Sequence, residues 1–500
     1  MPLTLKAGIL KGATWLAMSR LVLNALSLVS TLVLARLLVP ADFGIVAIAT
    51  AALEFVVALT ELSLSAALIQ RRYLQRSHVD TAWTMAVIRS LVVLAVFTAL
   101  AVPLSHAYGD DRLIPVFIVT GLTAATIDLL NPRVSLRMKM MDFRPQFTCQ
   151  IIKRTVTVIV SITLAILFRS YWAMILGSAA GAVMTVIISY ILWPYIPRFT
   201  LSRARDLLGF SSWLFAEQVM NVLNWRFDQL LSGLVLSKRE LGLFSLAINL
   251  SVMPSREITA PLVQALFPGF SNVTDSPARL ARGYMTAQRA IGMVTIPAGV
   301  GFALAAQPFV ALALGSKWAV AVPIIQVLAC SFAFQTLTIG LRSLAMAMGH
   351  TRLLFFREAI SFAVRLACVL AGVLLAGLTG LVWARAISAV LGVMIALDMV
   401  RRLLGFGIVA QMAAHFRTFV GAITMVAVVM AAMRLLGQGE GTAHYALQLC
   451  VTIVAGAVAY IATVGALWIA AGRPGGAERE LLNAVSGVLG IFRRRVVKPA

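Results

Sequence analysis

The sequence predicts an all-α polytopic membrane protein, on three observations. Of its 500 residues, 60% are hydrophobic and only 12% are charged, which is more apolar surface than a water-soluble fold can bury. Apolar runs of about 20 residues, the length a helix needs to cross a bilayer core, recur along the whole chain. These runs lack the alternation of apolar and polar residues that a transmembrane barrel requires, so the spans are expected to be helices.

The apolar runs divide into about fourteen predicted spans. A twelve-span arrangement, with the last two spans as an accessory hairpin, is the alternative. The least typical span contains Pro115 and Asp128. The predicted spans are 13–39, 42–69, 82–103, 113–131, 147–168, 173–194, 207–236, 241–270, 284–306, 318–348, 358–376, 380–400, 418–436 and 445–471.

The distribution of lysine and arginine between the spans predicts the orientation. If the N-terminus is cytoplasmic, the inside segments carry 25 of these residues and the outside segments carry 5. Both termini are therefore expected on the cytoplasmic side of the membrane. The net charge of +23 is then largely the cytoplasmic excess of basic residues facing anionic lipid, and it needs no nucleic acid partner.

One hairpin occurs twice in the chain. Residues 35–50 read ARLLVPADFGIVAIAT, and residues 233–248, at an offset of 198, read GLVLSKRELGLFSLAI. The aligned pairs are Leu38 with Leu236, Gly44 with Gly242, Ala49 with Ala247, and Asp42 with Glu240. An even number of spans in each half gives both halves the same orientation, so a pseudo-two-fold axis along the membrane normal is expected. The predicted domains are a six-helix lobe at 1–206, a second at 207–402, an accessory helix pair at 403–471 and a basic cytoplasmic tail at 472–500.

Three predicted spans carry polar residues along one helical face. Such stripes at membrane depth either form interhelical hydrogen bonds or line a water-filled cleft between the lobes. Four of their carboxylates are candidates for H⁺ or Na⁺ coupling, or else are structural partners of arginines: Glu54, Glu61, Glu217 and Asp228. The stripes are Arg20, Asn24, Ser27 and Thr31; Thr50, Glu54, Glu61 and Ser65; and Glu217, Asn221, Asn224 and Asp228.

Six intramembrane arginines lie five to seven residues from the predicted cytoplasmic end of their span. Two interpretations stay open: the side chains extend to the lipid headgroups, or they form a cationic vestibule that receives a phosphate or pyrophosphate. Arginine outnumbers lysine eleven to one within the spans, which favours the vestibule. The six are Arg20, Arg89, Arg154, Arg289, Arg342 and Arg365.

The sequence lacks the motifs that are typical of several other functional classes. There is no GxxxxGK[ST] nucleotide-binding motif, no HExxH and no metal-binding cysteine pattern. No metal and no cofactor are expected beyond the candidate coupling ion. The loops are too short for the acceptor site of a lipid-linked glycan polymerase or ligase, so an enzyme is not expected. A drug/cation antiporter would favour an acidic cavity, but here arginines outnumber carboxylates in the spans.

The first hairpin and its surroundings resemble a known family. The resemblance rests on these segments: LVPADFG at 38–44, EL at 61–62, ALIQR at 67–71, DTAW at 80–83, LGLFSLA at 241–247 and LFPGFS at 266–271. They are similar to the Wzx-like polysaccharide transporters of the multidrug/oligosaccharidyl-lipid/polysaccharide (MOP) exporter superfamily. The resemblance implies two six-helix lobes around a cavity that opens alternately to either side. It also implies a flippase for undecaprenyl-pyrophosphate-linked oligosaccharides in exopolysaccharide, capsule or lipopolysaccharide synthesis, with polysaccharide polymerases and glycosyltransferases as partners.

Together, the residues and the resemblance predict a substrate site and an outer gate. The turns at 40–42 and 237–240 are expected to form the gate, with Asp42 pairing across to Lys238 or Arg239. The residues expected to bind the lipid-linked glycan are Arg20, Asn24, Arg89, Arg154, Asn221, Asn224, Arg289, Arg342 and Arg365.

Overall fold

The structure is a computed structural model that describes residues 22–60, 75–139, 144–204, 212–271, 273–437, 439, 441–473 and 478–479. The described residues form helices joined by short turns, and none of them forms a strand. The predicted positions Arg20, Glu61 and Ser65, and most of the basic tail, lie outside the described residues.

The helices are numbered here in chain order. Two short 3₁₀ segments, Ser316–Trp318 and Thr336–Thr338, interrupt the second half. The helices are α1 Val22–Leu37, α2 Pro40–Thr60, α3 Arg76–Tyr108, α4 Leu113–Asp128, α5 Arg133–Lys139, α6 Arg144–Phe168, α7 Trp172–Leu192, α8 Ser212–Val235, α9 Lys238–Ser271, α10 Pro277–Ala313, α11 Ala321–Gln335, α12 Leu341–Ala347, α13 Thr351–Leu404, α14 Ile408–Ala413, α15 Phe416–Leu436 and α16 Thr442–Ala470.

The predicted all-helical membrane fold is confirmed, and each predicted span is α-helical over most of its described part. Among the described residues, nine helices are long and apolar enough to cross a membrane, with α11 to α12 counted as one. One of the nine, α13, contains two predicted spans. Helices α1 and α4 are apolar but shorter, and α8 and α9 carry several charged residues.

Helix α13 is a hairpin of two helices rather than one long helix. The backbone leaves the helical region at Ala376 and at Gly377, whose φ of 55° and ψ of −130° suit glycine. Gly372 and Gly380 then face each other so closely that a Cβ on Gly380 would lie 1.9 Å from the Gly372 carbonyl oxygen. The break separates the predicted spans 358–376 and 380–400.

The chain forms two compact units, Met1–Ser245 and Leu246–Ala500. In the first unit, Ile45 of α2 packs with Phe97 of α3 and Phe117 of α4. In the second, Tyr284 of α10 packs with Leu344 of α12 and with the C-terminal half of α13. Helix α8 belongs by contacts to the first unit, whereas the sequence assigns it to the second lobe; the predicted domain bounds stay a prediction.

The repeated hairpin has the same local structure in both copies. The Asp42 carboxylate accepts a hydrogen bond from the backbone N–H of Val39, at 3.1 Å, where α2 begins. The aligned Glu240 carboxylate accepts from the backbone N–H of Ser237, at 2.9 Å, where α9 begins. Ser237 Oγ accepts in return from the Glu240 N–H, which completes a capping box. The aligned acids therefore satisfy backbone donors at equivalent helix starts.

The two copies also pack against each other through their aligned glycines. A Cβ on Gly44 would lie 2.0 Å from the carbonyl oxygen of Lys238, and a Cβ on Gly242 would lie 1.7 Å from that of Pro40. Pro40 and Lys238 are themselves related by the offset of 198. Equivalent residues therefore make equivalent contacts, as they do across a two-fold axis. This reciprocity supports the duplication that the sequence predicts.

Adding a methyl group at this crossing is expected to destabilise the protein. Gly242→Ala places a Cβ against the Pro40 carbonyl, and overpacking of this kind costs about 1–3 kcal/mol. Thermal unfolding in detergent measures the loss. Gly301→Ala is the matched control, because a Cβ there meets nothing within 4 Å. Equal unfolding midpoints for the two variants would contradict the close crossing.

His415 lies buried in the second unit, at the start of α15. Its side chain is 1% exposed, and a Cβ on Gly292 of α10 would lie 2.8 Å from the ring. Neither ring nitrogen has a hydrogen-bond partner among the described residues. Burial, and then repulsion by Arg289, lower the pKa of His415 from 6.5 to about 4. The ring is therefore neutral in the folded protein at neutral pH.

This depressed pKa predicts a pH-dependent stability. The unfolded chain binds the proton below about pH 6.5 and the folded chain only below about pH 4, so stability falls as the pH drops through that window. The difference between the unfolded and folded pKa of His415 corresponds to a loss of about 3 kcal/mol in the free energy of unfolding. Thermal unfolding of His415→Phe is expected to depend less on pH between 6.5 and 4 than the wild type. The exposed His350, changed to Gln, serves as the control; identical pH profiles for wild type and His415→Phe would refute the assignment.

Candidate functional site

A cavity of about 720 Å³ lies within the first unit, between helices α1 to α4, α6 and α7. A cavity of this size accommodates a ligand as large as a typical small molecule or cofactor. Its wall carries three cationic side chains and one carboxylate. The polar lining residues are Ser27, Thr50, Arg89, Thr120, Thr123, Asp128, Gln150, Lys153, Arg154, Thr157 and Ser178.

Helix α6 supplies most of the positive charge. Gln150, Lys153, Arg154 and Thr157 follow the spacing i, i+3, i+4, i+7, which places them on one helical face. The face meets the cavity because α7 presents small residues to the flank of α6. A Cβ on Gly181 would lie 2.7 Å from the Lys153 carbonyl oxygen and 2.1 Å from Thr157 Oγ1.

The stretch GSAAG at 177–181 is a small-xxx-small motif of the kind that lets membrane helices approach closely. A Cβ on Gly177 would lie 1.9 Å from Ser161 Oγ, one turn further along α6 than Thr157. The two glycines therefore set the position of α6 against α7, and with it the position of Lys153 and Arg154 at the cavity.

Arg89 is partly neutralised inside the cavity. Its guanidinium lies 3.7 Å from the Asp128 carboxylate of α4, and its Nε lies 3.5 Å from Thr60 Oγ1. Both charged side chains are mostly buried, with 17% and 19% of their surface exposed. Asp128 therefore balances one of the three cations and holds Arg89 across the space between α3 and α4.

Arg154 and Lys153 have no such balance among the described residues. Neither side chain makes an ion pair there, and the buried Nε of Arg154 has no hydrogen-bond acceptor. A buried donor without a partner is costly, and more so when it is charged. An anion that enters the cavity removes this cost, and a guanidinium offers it two parallel donors. The arrangement is suited to a phosphate or diphosphate.

The structure brings two of the nine predicted substrate residues, Arg89 and Arg154, to this cavity. Asn24 and Asn221 are half-buried and are not among its lining residues. Asn224 is buried, and so are the two candidate coupling residues on the same helix, Glu217 and Asp228. In the second unit Arg289 and Arg342 are exposed and Arg365 is half-buried. The functional roles of these residues stay predictions.

Glu54 has a specific partner in the first unit. Both oxygens of its carboxylate accept from Arg226 of α8, through Nε and Nη2, in a bidentate ion pair. Arg226 also donates from Nη1 to the amide oxygen of Gln229, at 3.2 Å. Of the two interpretations of Glu54, coupling ion site or structural partner of an arginine, this geometry favours the second.

The gate residues lie where the two hairpin copies cross. The ammonium group of Lys238 donates to the carbonyl oxygen of Tyr108, at 2.9 Å, and lies over the ring of the same residue. Asp42 is buried at the start of α2, and Arg239 is exposed. Lys238 thus binds to Tyr108 of α3. An ion pair between Asp42 and Arg239 stays a prediction.

Lys153, Asp128 and Gln150 are cavity residues that were not among the predicted site residues. The signal for Gln150 and Lys153 was present in the sequence: 150, 154 and 157 repeat the i, i+4, i+7 spacing of the first and seventh spans, and 153 lies on the same helical face. In the sequence, Asp128 indicates only that the predicted span 113–131 is less typical of a membrane helix. Its pairing with Arg89 depends on helix packing that the sequence pattern does not reveal.

A bundle of membrane helices around a cavity that carries unbalanced charge defines a transporter-type membrane protein. Solved structures agree with this fold. The structure is similar to one described as lipid II flippase MurJ in an inward closed conformation, with a TM-score of 0.73 at 14% identity, over 91% of this chain and 99% of that one. It also matches an inward-facing multidrug resistance MATE family transporter of the MOP superfamily, with a TM-score of 0.59 at 14% identity, over 77% and 98% of the two chains.

The chain belongs to the family of polysaccharide biosynthesis proteins, whose model matches residues 33–323. It is 22% identical over 361 residues to the lipopolysaccharide biosynthesis protein WzxC of Escherichia coli K12, covering 71% of this chain and 73% of that protein. It is 23% identical over 320 residues to the succinoglycan biosynthesis transport protein ExoT of Rhizobium meliloti, covering 63% and 65%. The resemblance to Wzx-like members of the MOP superfamily is thereby confirmed.

The ion pair between α2 and α8 predicts energetic coupling between its members. Glu54→Gln and Arg226→Gln are each expected to lower the unfolding midpoint, because each leaves a charge without its partner. The double variant is expected to be only slightly less stable than the less stable of the two single variants, which corresponds to a coupling energy of about 1 kcal/mol. Arg434 is exposed and makes no ion pair with any described residue; changed to Gln, it serves as the control and stays close to wild type.

If the stability losses of the two single variants simply add up in the double variant, the structural role of Glu54 is contradicted. If Glu54→Gln alone instead abolished a dependence of transport on Na⁺ or on pH, while Arg226→Gln did not, Glu54 would be a coupling site.

Proposed function

We propose that this protein is a flippase that moves undecaprenyl-pyrophosphate-linked oligosaccharide repeat units from the cytoplasmic to the periplasmic leaflet. The destination of the glycan is exopolysaccharide, capsule or lipopolysaccharide. The observation that carries the proposal is the cavity in which Lys153 and Arg154 have no carboxylate partner among the described residues.

The charge of the cavity supports a lipid-linked diphosphate as cargo. A pyrophosphate diester carries two negative charges, and the cavity offers two cations beyond the Arg89–Asp128 pair. Attraction between them is stronger in a site that is drier than bulk water. A cationic drug would meet repulsion at the same place. The names of the relatives, a lipopolysaccharide biosynthesis protein and a succinoglycan transport protein, support the same class of cargo.

The neutral polar residues of the wall support binding of the glycan. Ser27, Thr120, Thr123 and Gln150 provide hydroxyl and amide groups beside the cations. Such groups exchange hydrogen bonds with sugar hydroxyls without adding charge. In the proposed mechanism the diphosphate lies against α6, the first sugars face α4, and the polyprenyl tail stays in the bilayer.

The transport step in this proposal is alternating access. In this proposal the gate is the crossing of the hairpin copies, where Gly44 and Gly242 bring the two backbones into close contact. Separation of these turns, with rocking of one lobe against the other, exposes the bound diphosphate on the opposite side. Consumption of the flipped lipid by a polysaccharide polymerase draws the cycle forward, and an ion gradient is not required for this step.

The orientation belongs to the same proposal. With both termini cytoplasmic in a bacterial inner membrane, the basic inside segments face the anionic leaflet. The start of α3 and the ends of α4 and α7 then lie on the cytoplasmic side, where glycosyltransferases assemble the lipid-linked glycan.

The test is the leaflet distribution of the lipid-linked oligosaccharide in cells depleted of this protein. Depletion is expected to leave the oligosaccharide on the cytoplasmic face, protected from enzymes added to the periplasmic side of spheroplasts. Wild type restores access, and Arg154→Gln restores it at a rate at least about tenfold lower, because one charge-assisted contact to the diphosphate is lost. Arg112→Gln is the matched control; its guanidinium pairs with Asp110 outside the cavity, at 2.8 Å.

Two results would overturn parts of this proposal. Accumulation on the periplasmic face would place the block after flipping, as expected of a polymerase. Full restoration by a stably inserted Arg154→Gln/Lys153→Gln double variant would show that the diphosphate binds elsewhere.

A further inference from the structure

A second cationic cavity, of about 520 Å³, lies at one end of the first unit, separate from the transport cavity. It forms where three segments meet: the start of α3, the start of α5, and the extended chain that follows α7. All three segments fall in regions that the lysine and arginine distribution assigns to the cytoplasmic side. The lining includes Arg76, Arg133, Tyr195 and Ile196, and none of the residues that line it is acidic.

Two guanidinium groups share one aromatic ring at this cavity. The guanidinium carbon of Arg133 lies 5.4 Å from the centroid of the Tyr195 ring, and that of Arg76 lies 5.7 Å from it. Stacking on an aromatic face fixes the plane of a guanidinium while leaving its N–H donors available. The ring thus holds two arginines, whose like charges repel, at the same cavity.

The ring itself is held rigidly. The Tyr195 hydroxyl donates to Oδ1 of Asp80, at 2.7 Å, and the backbone N–H of Arg198 donates to the same oxygen, at 3.2 Å. Asp80 is buried, with 4% of its surface exposed. Burial, together with this hydrogen bond, raises the pKa of Tyr195 to about 12, so the hydroxyl remains a donor at every physiological pH.

The remaining anchors of the extended segment reinforce this position. The side-chain amide of Asn131 donates to the carbonyl oxygens of Ser189 and Trp193, and the backbone N–H of Thr200 donates to Thr84 Oγ1. The turn before α5 and the chain after α7 are therefore tied together on either side of Tyr195. The network builds a fixed site rather than a mobile loop.

The two arginines differ in how far their charge is balanced. Arg76 lies 3.8 Å from Asp80 Oδ2 and donates to the carbonyl oxygen of Ile196, at 3.2 Å. The guanidinium of Arg133 lies over the Tyr195 ring and makes no ion pair among the described residues. Two cations against one buried carboxylate, which already accepts two hydrogen bonds, leave the cavity positive.

Apolar side chains stand exposed beside the cationic cavity. Ile196 is 81% exposed and Phe199 is 74% exposed, on the segment that carries Tyr195. Apolar groups next to paired arginines match the boundary between lipid headgroups and acyl chains. A free phosphate in water gains nothing from these neighbours, whereas a phospholipid contacts both.

We propose that this cavity binds the phosphate group of an anionic phospholipid of the cytoplasmic leaflet, between Arg76 and Arg133. The phosphate oxygens accept from both guanidiniums, and the acyl chains lie along Ile196 and Phe199. The site fixes the first unit to its own leaflet at a point outside the transport path. This inference does not rest on the proposed cargo, since it requires only that the chain lies in a membrane with the orientation that its lysine and arginine distribution predicts.

The test uses the full chain in a nonionic detergent, with the unfolding midpoint as readout. Phosphatidylglycerol is expected to raise the midpoint in a saturable way, and phosphatidylcholine is not, because its choline group repels the arginines. The double variant Arg76→Gln/Arg133→Gln is expected to need at least about tenfold more phosphatidylglycerol for half of the effect. Arg402→Gln removes an exposed cation that pairs with Asp398 in the second unit, and it is expected to titrate like wild type.

A second variant keeps the test decisive if the double variant unfolds. Tyr195→Leu leaves both charges and removes the ring on which they stack, and it is expected to weaken the phosphatidylglycerol effect to a similar degree. Three results would overturn the proposal: equal stabilisation by both lipids, an undiminished effect in both variants, or the same Arg133-dependent stabilisation by inorganic phosphate alone. The last result would assign the site to a soluble phosphate compound.

Discussion

The central physical constraint on this molecule is the cost of charge without a partner at membrane depth. A guanidinium loses hydration when helices close around it, and protein groups must replace that hydration or leave it to a ligand. In the first unit Asp128 does this for Arg89, at 3.7 Å, and no described carboxylate does it for Arg154 or Lys153. The cavity is therefore a place where an anion is more stable than in the surrounding lipid. The preference for anions that we propose for it follows from that deficit rather than from any shape designed around one ligand.

Close approach of backbones decides where these charges lie. Gly181 lets the Lys153 carbonyl come against α7, so that the polar face of α6 turns toward the cavity. Gly44 and Gly242 let the two copies of the hairpin cross with their carbonyl groups almost touching the opposite helix. Between membrane helices there is little hydrophobic drive, so small residues and van der Waals contact determine the packing. A single methyl group at such a point moves a helix and the side chains that it carries.

The arginines of the first unit show how environment separates residues that look alike in a sequence. Arg89 pairs with a carboxylate inside the cavity, and Arg226 forms a bidentate pair with Glu54. Arg154 has a buried nitrogen without an acceptor in the described part of the chain, and Arg133 stacks on an aromatic ring at the end of the bundle. The first two are balanced within the chain and stabilise helix packing. The last two make no ion pair among the described residues.

Composition and residue order by themselves determined that this is a helical membrane protein, where its spans lie, and that one hairpin is repeated. These properties depend on hydrophobic length and local spacing, which are local in the chain. The stripe on α6 was equally visible, because helical periodicity places 150, 153, 154 and 157 on one face. Only the tertiary structure decided that Arg154 has no carboxylate partner among the described residues, that Glu54 pairs with Arg226, and that two arginines stack on Tyr195. Each of these depends on which helices come within a few ångströms of each other, and side-chain pairing at that range follows from packing that no single segment encodes.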